Sequence, residues 1–589
     1  MHETGGEPLS TWEKRFQKWN ETEHLSEQLK QQLMEIQSNK PALEDAFYEQ
    51  LTFGTGGMRG LLGPGTNRMN IYTVRRAVKG LAYYIEKTSV NYKDRGVVVA
   101  YDSRHQSKEF ALECAKVLGM HGIKTYIFDS IRPTPLLSYA VRYLGAVAGI
   151  MITASHNPPE YNGFKVYNES GSQVSLEEAN QMIHFIERVE DVFTIPVHDE
   201  ERLIVDNLLQ WIENEIDSAY LEQLWKITKM DDEMIKQQKE LSIVFTPLHG
   251  TAQALVPAGL KQLNFNKIAV VEEQMIPDPE FTTVESPNPE EHQAFSEAIK
   301  VGNKVNADVL LATDPDADRL GVAVKTSDGN YTVLTGNQLG ALLLDYILKH
   351  TNENVLPCAR MIKTIVTSEL GRAVADHYGV ETIDTLTGFK YIGAKINEFD
   401  ATGESFVFGY EESYGYLISG FTRDKDAVQA SVMSCEMAQY WKNQGYSLLD
   451  ALHLLYEQHG FYKEGLSSLT LEGKEGQKQI AQVVEEFRTT KKTSIGSLAT
   501  KYIEDYKEGK RMYLGKNKKE ESLSLPEENV VKYVLEDNSW ICLRPSGTEP
   551  KLKWYYGTCG ESEVIAKEKL ITLEEAMNEI IVQPLQLSK

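Results

Sequence analysis

The chain opens with apolar residues at helical spacing in a charged background: Trp12, Phe16, Trp19, Leu25, Leu29 and Leu33, between Ser10 and Gln50. That recurrence predicts amphipathic helices packing one face on the body of the protein, a structural N-terminal extension. Beyond it the pattern changes to short apolar runs. Arg95 to Tyr101 reads as a strand ending in the polar turn Asp102-Ser103-Arg104. Phe110 to Gly119 then reads as a helix, Thr125 to Phe128 as a strand, and Val147 to Ile152 as a buried strand. Strand and helix in alternation predict a mostly parallel sheet with helices on both faces. The strand-then-polar-loop pattern recurs at Ala307 to Ala312 and at Ser405 to Phe408. Three similar α/β domains follow, each offering a loop from a strand end.

After about Tyr456 the character shifts. Lys532–Leu535, Trp540–Leu543 and Leu552–Tyr556 read as antiparallel strands, followed by a helix from Ser562 to Ile580. The lysine-rich stretch 510–519 reads as a solvated loop. The expected architecture is α/β: three similar mixed or parallel-sheet domains plus a C-terminal α+β domain. The expected boundaries are 1–207, 208–323, 324–456 and 457–589. A chain of 589 residues is long enough for several cores.

Charge narrows the partners. With 61 Lys and Arg against 85 Asp and Glu, the net charge is −24, which excludes a general nucleic-acid binder. Anionic substrates would need focused basic loops against that background. Cys114, Cys358, Cys435, Cys542 and Cys559 are scattered and lack CxxC spacing, so neither a disulfide framework nor a zinc site follows. Met1 to Glu27 is charged and has no apolar core, unlike a signal peptide. No apolar run is long enough to span a membrane, and a cytoplasmic location is expected.

The loops carry the candidate chemistry. Thr153-Ala154-Ser155-His156-Asn157-Pro158 follows a buried strand, which places Ser155 at a sheet's C-terminal edge, where α/β folds hold ligands. A serine hydroxyl needs a base or a metal to become a nucleophile. His156 and Lys165 are near in sequence. Asp314, Asp316 and Asp318 alternate, and in an extended loop alternate residues face one way. Three converging carboxylates call for a cation, and Mg²⁺ suits a few carboxylates plus a phosphate. A calcium EF-hand is excluded, since its sixth and twelfth positions are here Arg319 and Lys325 rather than Gly and Glu. Phe53 to Gly60 is glycine-rich without a Walker ending, and Arg59 can grip a phosphate. Glu411, Glu412 and Ser413 sit between Gly409 and Gly415 and suit sugar hydroxyls. Arg544-Pro545-Ser546-Gly547-Thr548-Glu549-Pro550-Lys551 has the composition of an anion nest with Arg544 as its charged clamp. Thr387-Gly388-Phe389-Lys390 offers a lysine for phosphate or proton transfer. His249 reads as a support.

In their order these loops resemble the α-D-phosphohexomutase family, and in layout its long phosphoglucomutase/phosphopentomutase branch. Thr153 to Pro158 matches the family's phosphoserine loop and Asp314 to Arg319 its metal loop. Gly409 to Gly415 matches its sugar loop and Arg544 to Lys551 its phosphate loop. The resemblance implies four domains around a central cleft, a phosphorylated Ser155, and Mg²⁺ on Ser155, Asp314, Asp316 and Asp318. It implies interconversion of glucose 1-phosphate and glucose 6-phosphate through glucose 1,6-bisphosphate. Arg59 and Lys165 would flank the reacting group, with His156, Lys165 or Lys390 moving the proton. Arg319, Gly388, Glu411, Ser413, Arg544, Ser546, Gly547, Thr548 and Lys551 would bind substrate. The implied partners are small hexose phosphates. A phosphopentomutase or phosphomannomutase would share every loop. A serine-nucleophile phosphatase and a non-catalytic sugar-phosphate binder are the rivals from other classes.

Overall fold

The computed structural model describes residues 9–54, 57–231, 234, 239–471, 473–514, 519–546 and 551–583. The chain forms two compact units. The first holds residues 1–334, 389–409 and 413–444; the second holds 335–388, 410–412 and 445–589. The third expected segment, 324–456, thus contributes to both.

In the first unit, helices α1 (Thr11–Glu21), α2 (Glu27–Gln37) and α3 (Lys40–Phe47) form the N-terminal extension. Ser10 and Ser26 cap the first two through their side chains, satisfying backbone donors that the first turn leaves open. Their apolar stripe, Trp19, Leu29, Leu33 and Phe47, buries against Tyr72 of α4 (Ile71–Thr88) and against Phe193.

Next comes a six-stranded sheet in the order β1 (Gly57–Leu61), β5 (Tyr161–Asn168), β4 (Ala148–Ile152), β2 (Val97–Tyr101), β3 (Thr125–Phe128) and β6 (Leu209–Ile212). β2, β3, β4 and β6 run parallel, while β1 and β5 are antiparallel additions. β2 and β4 are buried throughout, as their unbroken apolar sequences require of strands covered on both faces. A second sheet repeats the plan: β11 (Tyr331–Val333), β10 (Leu320–Lys325), β9 (Val309–Thr313), β7 (Ile243–Thr246) and β8 (Ile268–Val270), with β7, β8 and β9 parallel. In both sheets the candidate loop joins an antiparallel pair, β4–β5 and β9–β10. These loops are therefore hairpin connections.

In the second unit, β12 (Ala359–Thr364) and β13 (Glu381–Thr385) pair in parallel. β14 (Ser405–Glu411) ends in this unit, and β15 (Gly415–Leu417) belongs to the first. The C-terminal sheet has the order β16 (Phe461–Thr470), β23 (Lys551–Gly560), β22 (Trp540–Pro545), β21 (Val531–Leu535), β18 (Leu498–Asp505), β19 (Lys510–Tyr513) and β20 (Glu520–Ser522), with β17 (Ser494–Ile495) on β18. Its buried face packs Tyr533, Ile541, Leu543 and Trp554 against Val484, Phe487, Leu573 and Met577 of two covering helices.

One expectation is corrected here. Lys510 to Tyr513 is a strand rather than solvated loop, paired from Tyr502↔Tyr513 to Asp505↔Lys510. Charge hid it: Met512 is buried, and Arg511 Nε binds Glu504 Oε1 at 2.9 Å across the pair. Residues 515–518 lie outside the described residues. Among the described residues no helix is long and apolar enough to cross a membrane.

Candidate active site

Ser155 stands in the turn after β4, only 3% exposed. Its φ of +52° is left-handed, a region that costs a side-chain-bearing residue energy and persists only where neighbours enforce it. The enforcement is visible. The Ser155 backbone N–H donates to Thr153 Oγ1 at 2.8 Å, and the Asn157 N–H to the Ala154 carbonyl at 3.1 Å. Beneath the loop lies the guanidinium of Arg104, with a fully buried side chain. Ser155 Oγ donates to Asp314 Oδ2 at 2.7 Å, and His156 Nδ1 lies 3.3 Å from Ser155 Oγ.

The aspartates converge. One oxygen from each of Asp314, Asp316 and Asp318 lies within 4.8 Å of the others, and all three residues are buried. The cause differs from simple strand alternation. The Ala317 N–H bonds to the Asp314 carbonyl at 2.9 Å and Ala317 has φ +54°, so the chain folds into a turn. Asp314 Oδ1 accepts the backbone N–H groups of Asp318 (3.0 Å) and Arg319 (2.9 Å), fixing that turn from inside.

The electrostatics follow from burial. Burial and the two neighbouring carboxylates push Asp314 well above the usual carboxylate range. Burial also opposes ionisation of Asp316, but Lys165 outweighs it and holds Asp316 below the ordinary value. For Asp318 burial and Asp316 are overcome by Lys425 and Lys165. Lys165 Nζ sits 2.7 Å from Asp316 Oδ2 and 3.6 Å from Asp318 Oδ2; Lys425 Nζ sits 3.1 Å from Asp318 Oδ2. Asp316 Oδ1 and Asp318 Oδ1 are buried without a hydrogen-bond partner. Two orphaned, buried carboxylate oxygens beside a third carboxylate are what a hard divalent cation takes as ligands, so the residues fit one.

Around this centre the first unit gathers further predicted residues. Arg59, on β1, is exposed and donates to Asn157 Oδ1 at 2.6 Å, so it reaches the serine loop. Burial drives His156 down to about 3, with Arg319 and Arg59 adding to the effect, which keeps its imidazole neutral. Arg319 pairs through Nη1 with Glu290. Lys390 lies in the first turn of the helix Phe389–Thr402, with Nζ 5.0 Å from the Tyr391 ring centroid. Phe389 in turn lies under Lys425, the partner of Asp318. Ser413 precedes Tyr414, whose carbonyl accepts the Leu320 N–H at 3.0 Å, tying that loop to the end of the aspartate turn. His249 acts as a strut: its ring bonds the Ile276 carbonyl at 2.8 Å and Thr283 Oγ1 at 2.7 Å.

In the second unit, the Gly388 N–H donates to Glu411 Oε1 at 2.8 Å, uniting two predicted residues. Glu412 accepts from Thr364 (3.2 Å) and Thr367 (3.1 Å), and burial, aided by Glu411, pushes it up to about 7. Arg544 and Ser546 stand at the turn joining β22 and β23, where the Ser546 N–H bonds the Lys551 carbonyl at 2.7 Å. Arg544 Nε faces Glu528 at 3.8 Å, and Ser546 is exposed. Gly547 and Thr548 lie outside the described residues.

Sequence reasoning missed four supports. In the sequence Arg104 reads as part of a polar turn, and nothing local marks Lys425. Thr134 donates through Oγ1 to Asp316 Oδ2 at 3.0 Å, and its N–H bonds the Asp316 carbonyl at 2.9 Å. Gly250, in the loop after β7, approaches the aspartate turn so closely that a Cβ there would lie 2.4 Å from Pro315 Cα.

Models of the four phosphoglucomutase/phosphomannomutase domains match in order: α/β/α domain I at residues 50–192, domain II at 218–329, domain III at 335–458 and the C-terminal domain at 499–570. The phosphoglucomutase of Staphylococcus aureus is 40% identical over 535 residues, spanning 89% of this chain and 92% of the relative. The chain belongs to the phosphoglucomutase/phosphomannomutase family. The phosphoglucomutase of Staphylococcus epidermidis is likewise 40% identical, over 88% of this chain and 92% of its own. Solved family folds superpose over most of the length. Parafusin, a Paramecium phosphoglucomutase, gives a TM-score of 0.67 at 17% identity, covering 91% of this chain and 97% of that one. A putative phosphomannomutase from Thermus thermophilus gives 0.66 at 20% identity, covering 90% and 99%. Ser155 falls within the match to domain I, the aspartates within domain II, Glu411 and Ser413 within domain III, and Arg544 within the C-terminal domain.

Proposed function

We propose that this enzyme interconverts glucose 1-phosphate and glucose 6-phosphate, with Ser155 as the phosphoryl carrier. The observation that carries the reading is Ser155 Oγ held 2.7 Å from Asp314 within a buried cluster of three aspartates. The staphylococcal relatives named phosphoglucomutase support glucose as the sugar.

In this reading phospho-Ser155 passes its phosphoryl group to the free hydroxyl of the hexose monophosphate. The P–O bond to Ser155 breaks as the bond to the sugar oxygen forms, giving glucose 1,6-bisphosphate. The other phosphate then returns to Ser155 as the second product leaves. Asp314, Asp316, Asp318 and Ser155 would hold Mg²⁺, which supplies charge neutralisation to a phosphoryl group when bound. Lys165 is committed to Asp316 and Asp318, and Arg59 stands over the serine loop, so both contribute fixed positive charge. Proton movement at the sugar hydroxyl would fall to His156, Lys165 or Lys390. Glu411 and Ser413 would bind sugar hydroxyls, with Gly388 orienting Glu411. Arg544, Ser546, Gly547, Thr548 and Lys551 would hold the phosphate that is not reacting, and Arg319 would contact substrate near the aspartates. The four segments expected from the sequence correspond in this reading to one loop each.

A coupled assay with Mg²⁺ and a trace of glucose 1,6-bisphosphate tests the function. Turnover of glucose 1-phosphate to glucose 6-phosphate without net release of inorganic phosphate is expected. Steady phosphate release would make the protein a phosphatase, and faster turnover of ribose 1-phosphate or mannose 1-phosphate would reassign the sugar.

A further inference from the structure

The Ser155 loop cannot hold its own shape. A left-handed serine is uphill for an L-residue, and the hydrogen bonds accepted by Thr153 Oγ1 and the Ala154 carbonyl fix only part of the turn. Beyond the Arg59 bond to Asn157 and the Ser155 bond to Asp314, the largest set of further bonds to the loop backbone comes from one side chain on a different loop. Arg104 Nη2 donates to the Ser155 carbonyl at 2.6 Å and also to the Asn157 carbonyl. Its Nη1 donates to the carbonyls of Pro158 at 2.8 Å and Tyr161 at 3.0 Å. Four carbonyls spread over seven residues thus converge on one planar cation.

The arginine is itself paired with a buried carboxylate, although its Nε makes no hydrogen bond. Its Nε lies 3.4 Å from Asp102 Oδ2, and both side chains are fully buried. Asp102 Oδ1 is held by the Arg104 N–H at 3.0 Å and by Ser107 Oγ at 2.8 Å. The guanidinium carbon sits 5.0 Å from the centroid of the buried Phe281 ring. Asp102 and Arg104 follow β2, the strand paired in register with β4 through Tyr101↔Ile152. The clamp is thus mounted on the neighbour of the strand that delivers the serine. Because each peptide here is trans, a carbonyl pulled toward Arg104 turns the following N–H to the opposite side. Arg104 therefore sets the direction of the His156 N–H as well as the backbone at Ser155.

We infer that Arg104 is the positioning residue of the serine loop, whose guanidinium holds Ser155 in the left-handed conformation that delivers Oγ to Asp314. The inference rests on the reading of Ser155 as the phosphoryl carrier. Lysine cannot replace it, since an ammonium group is a point donor and the site requires a rigid fork reaching four acceptors. Misplacing a reacting atom by about 1 Å costs about 100-fold in rate, without a matching loss of substrate affinity.

The test compares the parent enzyme with Arg104→Lys and Arg104→Ala, reading kcat, KM, thermal midpoint and the rate at which glucose 1,6-bisphosphate phosphorylates Ser155, followed by intact mass. Folded Arg104→Lys is expected to lose about 100-fold in kcat with KM within about threefold, and to lose Ser155 phosphorylation rate in parallel. Guanidinium ion at millimolar concentration is expected to restore Arg104→Ala by about tenfold or more where ammonium does not. A merely structural arginine would lower the thermal midpoint and leave the folded fraction with parental kcat, which would overturn the inference. Should Arg104→Lys fail to fold, Asp102→Asn carries the test. It keeps the guanidinium but releases its anchor, and parental kcat and phosphorylation rate in that variant would equally overturn the inference. A parent enzyme inactive on glucose phosphates would instead refute the mutase reading, a result separable from either.

Discussion

The serine loop of the first unit and the Arg544 hairpin of the second are both connections between antiparallel strands, but they are built on opposite terms. Ser155 is buried and strained, its loop carbonyls clamped by Arg104 and its hydroxyl given to Asp314. Ser546 is exposed, and its backbone N–H bonds the Lys551 carbonyl. Arg544 stands beside Glu528 at 3.8 Å without a hydrogen bond at Nε. The difference matches the two tasks proposed. A group that makes and breaks a bond must be held within fractions of an ångström, while a group that recognises an ionic phosphate works through charge and several donors.

That contrast sorts the expected effects of mutation. The largest belongs to the aspartate turn. Asp316→Asn removes a charge that Lys165 and Thr134 converge upon, and should lower kcat by about 1,000-fold, roughly 4 kcal/mol at the transition state. Chelation of divalent cations should reduce the parent enzyme to a similar level, with Mg²⁺ restoring it. A kcat within tenfold of the parent for Asp316→Asn would break the contrast by making the buried centre as forgiving as the exposed one. Arg544→Ala should come next, with KM for glucose 1-phosphate raised by about 10- to 100-fold, the weight of one charged hydrogen-bonding partner, and kcat changed much less. A loss confined to kcat would instead place Arg544 among the groups that act only in the transition state.

The smallest effect concerns stability in the second unit. Burial pushes Glu464 up to about 7 from an ordinary value of 4.5, despite its bond from Ser368. A carboxyl raised in the native state favours the protonated form. The stability it contributes is therefore intact below about pH 4.5 and lost as pH rises through about 7. Glu464→Gln removes that titration, so the fall in thermal midpoint between pH 5 and pH 8 should shrink by a few degrees. An unchanged fall would leave the pH dependence to other groups, Glu412 foremost.

Much of this architecture is legible in the sequence because it is local. Val147 to Ile152 declares a buried strand by its unbroken apolar run, and Asp314, Asp316 and Asp318 bring three carboxylates together within five residues. The remainder depends on contacts that no local pattern encodes. Asp102-Ser103-Arg104 reads as an ordinary turn, and only the pairing of β2 with β4 brings the guanidinium under Ser155. Lys425 reads as one more charged residue until the fold sets it against Asp318. Even the aspartates meet by a different route from the one alternation suggests, through a left-handed Ala317. Lys510 to Tyr513 shows the converse failure, since charged side chains that pair across strands look like solvent-facing loop.

The central claim is that Ser155 carries the phosphoryl group. It is tested most directly by incubating the enzyme with Mg²⁺ and glucose 1,6-bisphosphate, then locating the phosphate by peptide mass mapping. The account predicts a single phosphate on Ser155, chased off by glucose 6-phosphate or glucose 1-phosphate, and none on Ser155→Ala, which should also be inactive. Phosphate on another residue, or full turnover by Ser155→Ala, would contradict it.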